Sequence, residues 1–292
     1  GGVNTGDVSV TAGLNLLDSH NDLVTNDPLT GLAVPIGDPR VVNIAGNQIR
    51  LEATLGSIGI ATNPLDIAGV NLAAVANGNV YLYESNALAI TTVAAISHTR
   101  VHLDSTRDTF SMTPLSGVLA SNGQAKVETI DGPLTVVAGT VAGSVGAVDY
   151  AVLAAGDFLL AAGGAAGDLT IGEAVASQNG ALTLIANQNV AQNARLDITG
   201  GIDQVANSIF VSAINGSITM ASTTNSTTQG GNIVYEAGLN VTLGVLNAGT
   251  GDVAVTAGGD ILDGQGDTVS HAAATGLAVQ TGDARTVNIF AN

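Results

Sequence analysis

The densest group of chemically capable side chains in this sequence is "HTRVHLDSTRD", residues 98–108. Two histidines four residues apart, with Asp104 and Asp108 close by, are the ligand types of a zinc-like site. The spacing argues against one. A strand advances about 3.3 Å per residue, so His98 and His102 on one strand stand roughly 13 Å apart, too far for ligand bonds of about 2 Å to meet. Alternation instead turns Val101 and Leu103 inward and His98, Arg100, His102 and Asp104 outward. The residues favour a solvated face with an Arg–Asp contact; a metal shared with a neighbouring chain is the alternative.

Two Asp-rich turns come next. "DSHNDLVTND" holds Asp18 and Asp22, and "DILDGQGD" holds Asp263 and Asp267. Calcium takes several convergent oxygens, and these four aspartates are its candidates. Neither stretch follows the nonapeptide of calcium-binding β-rolls or the twelve-residue helix–loop–helix pattern. Asp and Asn also satisfy the backbones of their own turns, so calcium stays an open alternative and no other cofactor is expected. Tyr81 and Tyr83 flank Leu82 in "NVYLYES". If Val80 and Leu82 face inward, both rings face outward, as a sugar platform, a protomer contact, or packing between rungs. Asp7, Asp38 and Arg40 return as Asp252, Asp283 and Arg285, which turn formation and a local ion pair explain. The triplets at Asn215, Asn225 and Asn240 match glycosylation acceptors, but Asn and Thr are common enough here for chance to produce them.

No phosphate loop, nucleophile elbow or Ser-His-Asp order is present, so the chain is not expected to be an enzyme. A carboxylate pair hidden among its 24 acids would make a polysaccharide lyase or hydrolase the rival reading. A net charge of −17 with seven Lys and Arg leaves no basic stripe for nucleic acid or for an anionic membrane surface. The absence of cysteine excludes disulfides and thiolate sites. Residues 134–148 are too short and Gly-rich to span a bilayer, so no membrane insertion is expected.

The elements that must carry these residues are short. "GDVSV", "GNVYLYE", "GPLTVV", "GDLTI", "GALTLI", "GSITM" and "GNIVYE" are period-2 runs bracketed by turn formers. Apolar pairs at Leu196, Ile218, Val241 and Ile261, and at Ile209, Ile233 and Val253, recur every 20–24 residues. Short strands at that period, without helices, describe the coil of a β-solenoid, in which stacking buries faces no coil buries alone. A β-sandwich explains the strands but not the colinear repeat. The expected core includes Val8, Val10, Leu182, Leu184, Ile218, Val241 and Val253. A longer repeat overlies the short one: residues 6–47 and 251–292 share 23 identities in 42 positions without a gap. The organisation read from this is one continuous β-solenoid over 1–292, with 6–250 one full repeat and 251–292 the start of the next. The two copies are expected to share a backbone on equivalent rungs, about eleven coils apart, with an open last rung. No leader is visible before Gly1, which suggests a segment whose export signal lies elsewhere.

The run from "GDVSVTAGLNLLD" to "GSIGIATNPLDIAGVNLAAVANGNVYLYESNALAITTV" resembles the giant repetitive bacterial exoproteins of the filamentous haemagglutinin-like and large-adhesin type. The resemblance covers residues 6–93 well, 169–292 moderately and 100–165 loosely. It implies an all-β, right-handed parallel β-helix secreted to the bacterial cell surface as a structural fibre or adhesin. Its implied partners are further copies of itself and, alternatively, surface glycans or proteins. The motifs are fold motifs and carry no catalytic residues across.

Overall fold

The computed structural model describes residues 6–20, 24–28, 30–35, 41–266, 270–271, 274–275, 278–279 and 287–291. Every regular element among them is a strand. The architecture is a parallel β-helix: a nine-stranded and a seventeen-stranded sheet, parallel throughout, with five two-stranded antiparallel sheets on four excursions among the described residues. One coil shows the plan. Leu182–Ala186 lies in the nine-stranded sheet, and Val190–Gln192 and Leu196–Ile198 lie in two separate ladders of the other. Gly, Asn and Asp between the strands make the corners.

Register stacks like on like. Phe158, Leu182, Ile209, Ile233 and Val253 form one inward column. Leu169, Val190, Ile218, Val241 and Ile261 form a second, and Val152, Val175, Leu196, Ser226 and Leu246 a third. Leu182, Leu184, Ile218 and Val241 are fully buried, whereas Val8, Val10 and Val253, in strands near the two ends, are half-buried. One spacing from the sequence is corrected. Leu196 does not stack on Ile218, because each coil has three strands and these two belong to different ladders.

Three polar side chains sit inside and satisfy one another. Tyr235 Oη donates to Gln192 Oε1 at 2.6 Å and lies 2.6 Å from Ser226 Oγ, while Gln192 Nε2 donates to Ser226 Oγ at 3.1 Å. All three are buried, and a closed set of this kind avoids the cost of an unpaired polar group in a dry interior.

The corners are tied by side chains. Asn79 Oδ1 accepts from Gln124 N–H in the next coil at 2.8 Å, Asn189 Oδ1 from Ser217 N–H at 2.9 Å, and Asn240 Oδ1 from Asp260 N–H at 2.8 Å. This bond explains the glycine before so many strands. A Cβ on Gly123 or Gly216 would stand 2.5 Å from the Asn79 or Asn189 oxygen, so only glycine lets the next corner approach.

The third column runs from Val10 through Leu51, Ala74 and Val118 to Leu246 and Ile289 in nine steps. At about 4.8 Å each, this is roughly 43 Å of axis. The shortest steps take 20–23 residues, such as Leu51 to Ala74 and Ser226 to Leu246. The eleven coils expected are too many, because excursions, and a longer loop between Leu196 and Ser226, lengthen the other coils. The longest, between Ala74 and Val118, takes 44 residues.

The long repeat is reproduced in its internal detail. Thr25 pairs with Val34 and Asn26 with Ala33, and 245 residues later Ser270 pairs with Val279 and His271 with Ala278. Placement differs. Val8–Ala12 pairs into the seventeen-stranded sheet, but Val253–Ala257 lies in the nine-stranded one; Ile44–Ala45 and Ile289–Phe290 are exchanged the opposite way. This corrects the expectation of equivalent rungs related by translation. The repeat length is not a whole number of coils, so the second copy starts on another face. In the last described rung Ile261, Leu262, Ile289 and Phe290 are exposed.

Candidate functional site

Function on such a column falls to its excursions and outer faces. The most prominent excursion leaves at Thr92–Val93, returns at Leu115–Ser116, and carries the antiparallel arms Ser97–Val101 and Arg107–Ser111. Arg50 anchors its base. That side chain is 2% exposed, and its Nε donates to the Thr113 carbonyl at 2.9 Å, Nη1 to Thr11 Oγ1 at 3.1 Å and Nη2 to Glu52 Oε2 at 2.7 Å. Both arms are exposed along their whole length. At the tip Asp104 Oδ1 accepts from Thr106 N–H and Oγ1, bonds that hold its carboxyl below the usual range.

The "HTRVHLDSTRD" cluster is this finger. Val101 and Leu103, expected inward, are 62% and 109% exposed, because the segment is a hairpin arm with no interior behind it. His98 stacks on Phe110 at 5.7 Å between centroids, the Arg100 guanidinium lies 4.4 Å over the same ring, and His102 Nε2 meets Asp108 Oδ2 at 2.5 Å. The expected Arg–Asp contact is present at 3.9 Å between Arg100 and Asp108. Among the described residues no group of three or more His, Asp and Glu stands where it would hold a metal ion.

Tyr81 and Tyr83 do point away from the interior columns, but they are only 8% and 1% exposed. Of the roles left open for them, packing between rungs is the one these contacts describe: Tyr81 Oη donates to Gln124 Oε1 at 2.6 Å, and Lys126 covers the Tyr83 ring at 4.6 Å while donating to its hydroxyl at 2.7 Å. Side chains of the neighbouring coil occupy the faces a sugar would need. Gly31, in the first excursion (the hairpin of Val24–Asn26 and Ala33–Pro35), lies against Ile185 on the same outer face.

The aspartates act as staples of the repeat. Asp18 Oδ1 accepts from His20 N–H at 2.8 Å and from Asn43 Nδ2 at 2.6 Å. Asp263 Oδ1 accepts from Gln265 N–H at 2.8 Å and from Asn288 Nδ2 at 3.0 Å, the same pair of bonds one repeat later. Asp22 and Asp267 lie outside the described residues, as do Asp38, Arg40, Asp283 and Arg285.

Two features escaped sequence reasoning. The hairpin of Gly143–Val145 and Val148–Tyr150 walls an open cleft of about 530 Å³, lined by Asp149, Glu173, Asn193, Arg195, Thr223 and Asn225 among others. Arg195 is held there by buried Asp197, which also accepts from buried Tyr150 at 2.8 Å; burial first, and then Asp197, push the Tyr150 phenol up. The signal was the Arg-x-Asp pair at the start of one short strand, Leu196–Ile198. The second is Glu84, at a position where alternation from Val80 and Leu82 calls for an apolar side chain. It is fully buried, and its carboxylate accepts from Gly69 N–H at 2.8 Å and Asn86 N–H at 3.1 Å. Desolvation raises its pKa to about 7 against those bonds.

No family model, curated protein or solved structure matches this chain. The fold class is therefore defined by the pairing itself: an all-parallel, repetitive β-solenoid. No helix among the described residues is long and apolar enough to cross a membrane.

Proposed function

We propose that this chain is a structural segment of a secreted, repetitive cell-surface fibre or adhesin of the filamentous haemagglutinin-like type, serving as a stiff extracellular rod. The supporting observation is the unbroken third column, nine parallel steps whose inward residues are almost all apolar. Each coil is hydrogen-bonded along its strands to the coils on either side, which stiffens the axis and leaves few openings for proteases. The role is mechanical and needs no catalysis. Its partners are further copies of the same unit along the fibre.

The cleft at Arg195 favours a second reading, an adhesin module that takes a surface glycan or protein. Small-angle scattering of the chain and imaging of the intact protein separate these. A uniform thin rod supports the fibre, a rod with a distal knob supports the adhesin, and a compact particle sinks both. Turnover of an acidic polysaccharide that vanishes on replacing one carboxylate would overturn the structural role in favour of an enzyme.

A further inference from the structure

At the base of the first excursion two acceptor oxygens are buried with no donor: Asp18 Oδ2 and Asn63 Oδ1. The Asp18 side chain is completely covered. Its other oxygen is already engaged by His20 N–H and Asn43 Nδ2. The Asn63 amide is locked in orientation, since its Nδ2 donates to the His20 carbonyl at 2.7 Å and to the Asp18 carbonyl at 3.4 Å. Turning it over would set its oxygen against those carbonyls. These bonds hold the amide against the turn that carries the Asp18 carboxylate.

A buried carboxylate oxygen and a buried amide oxygen are each costly when left alone. They are both hard acceptors, and neither has a hydrogen-bond partner. A hard cation seated between them would relieve both and also compensate the carboxylate charge, which a water molecule would not. We propose that Asp18 Oδ2 and Asn63 Oδ1 are ligands of a calcium ion that ties the base of the first excursion to the turn at residues 60–63. Calcium fits better than magnesium because it accepts mixed carboxylate, amide and carbonyl oxygens in irregular geometry and sheds water more readily. The chain's charge of −17 concentrates cations near its surface. With two side-chain oxygens the site belongs in the weak class, with half-occupancy at about 10⁻⁴–10⁻³ M, typical of extracellular modules.

The test is thermal melting and titration calorimetry of the chelator-dialysed chain with calcium chloride up to about 10 mM, and magnesium chloride in parallel. Calcium should raise the melting midpoint and magnesium should raise it far less. Asp18→Asn and Asn63→Leu should each abolish the calcium response. Asp263→Asn, at the corresponding but exposed turn of the second copy, should keep it. If Asp18→Asn does not fold, Asn63→Leu decides alone. No response at the top concentration, a response that survives both substitutions, or an equal response to magnesium overturns the site. None of these outcomes bears on the rod, which rests on the strand ladders.

Discussion

Glu84 is the residue whose chemistry departs furthest from its surroundings. Burial raises its carboxyl pKa to about 7 in the folded chain from an ordinary value of about 4.5, so the folded state holds the proton more tightly than the unfolded one. The stability this contributes is fully present below about pH 4.5 and is lost as pH rises through 7, on the order of 3 kcal/mol at most. Thermal midpoints should therefore fall between pH 5 and 8, and Glu84→Gln should flatten that slope; an unchanged slope would place the titration elsewhere. The interior triad of Gln192, Ser226 and Tyr235 contrasts with it, being polar but closed on itself. The sequence shows neither outcome directly. "VYLYE" displays the alternation that buries Glu84, but not the two backbone donors that keep it there. The Asp18 and Asp263 turns were legible as Asp-rich corners, while their partners Asn43 and Asn288 stand 25 residues away in sequence and emerge only with the fold.

Among elements, coil strands were easier to recognise than excursions, for a physical reason. A coil strand must match its neighbours above and below, so its apolar positions return at 20–23 residues. A hairpin arm alternates as well, but it answers only to its partner arm. Residues 98–104 therefore read as one more coil strand although they stand clear of the column. The same difference predicts how mutations divide. Excising residues 97–111 behind a short Gly-Ser bridge should leave the thermal midpoint almost unchanged, since both arms are exposed. Arg50→Met should cost about 3 kcal/mol in denaturant unfolding, because Glu52 and the Thr113 carbonyl lose a buried charged partner. A large loss from the excision, or none from Arg50→Met, would show that the finger and not its anchor carries the stability.

For the whole molecule, stability is a sum over coils and the contacts between them. Amide exchange measured by mass spectrometry should be slowest in central strands such as Leu182–Ala186 and Ile209–Ala213, which have a neighbour on each side. It should be fastest at Val8–Ala12 and Ile261–Asp263, which have one. Equal protection throughout would mean that the column opens all at once. The long repeat was plain in the sequence, yet the face on which it restarts was not, because that depends on how many residues each excursion takes out of the coil.

The corner bonds also have a direction. Where an Asn or Asp side chain makes the corner bond, the earlier coil supplies the side-chain oxygen and the later coil the backbone N–H: Asn15 to Ser57, Asn79 to Gln124, Asp157 to Ala181, Asn240 to Asp260. A finished coil thus presents acceptors already in place for chain that has not yet arrived. At these corners, coils laid down from the N-terminal end each land on a prepared template, whereas assembly from the other end would find backbone amides waiting for mobile side chains. For a polypeptide that emerges through a narrow pore with its N-terminus leading, folding would proceed in the order of emergence, and each coil captured on the outer side would hinder the chain from slipping back.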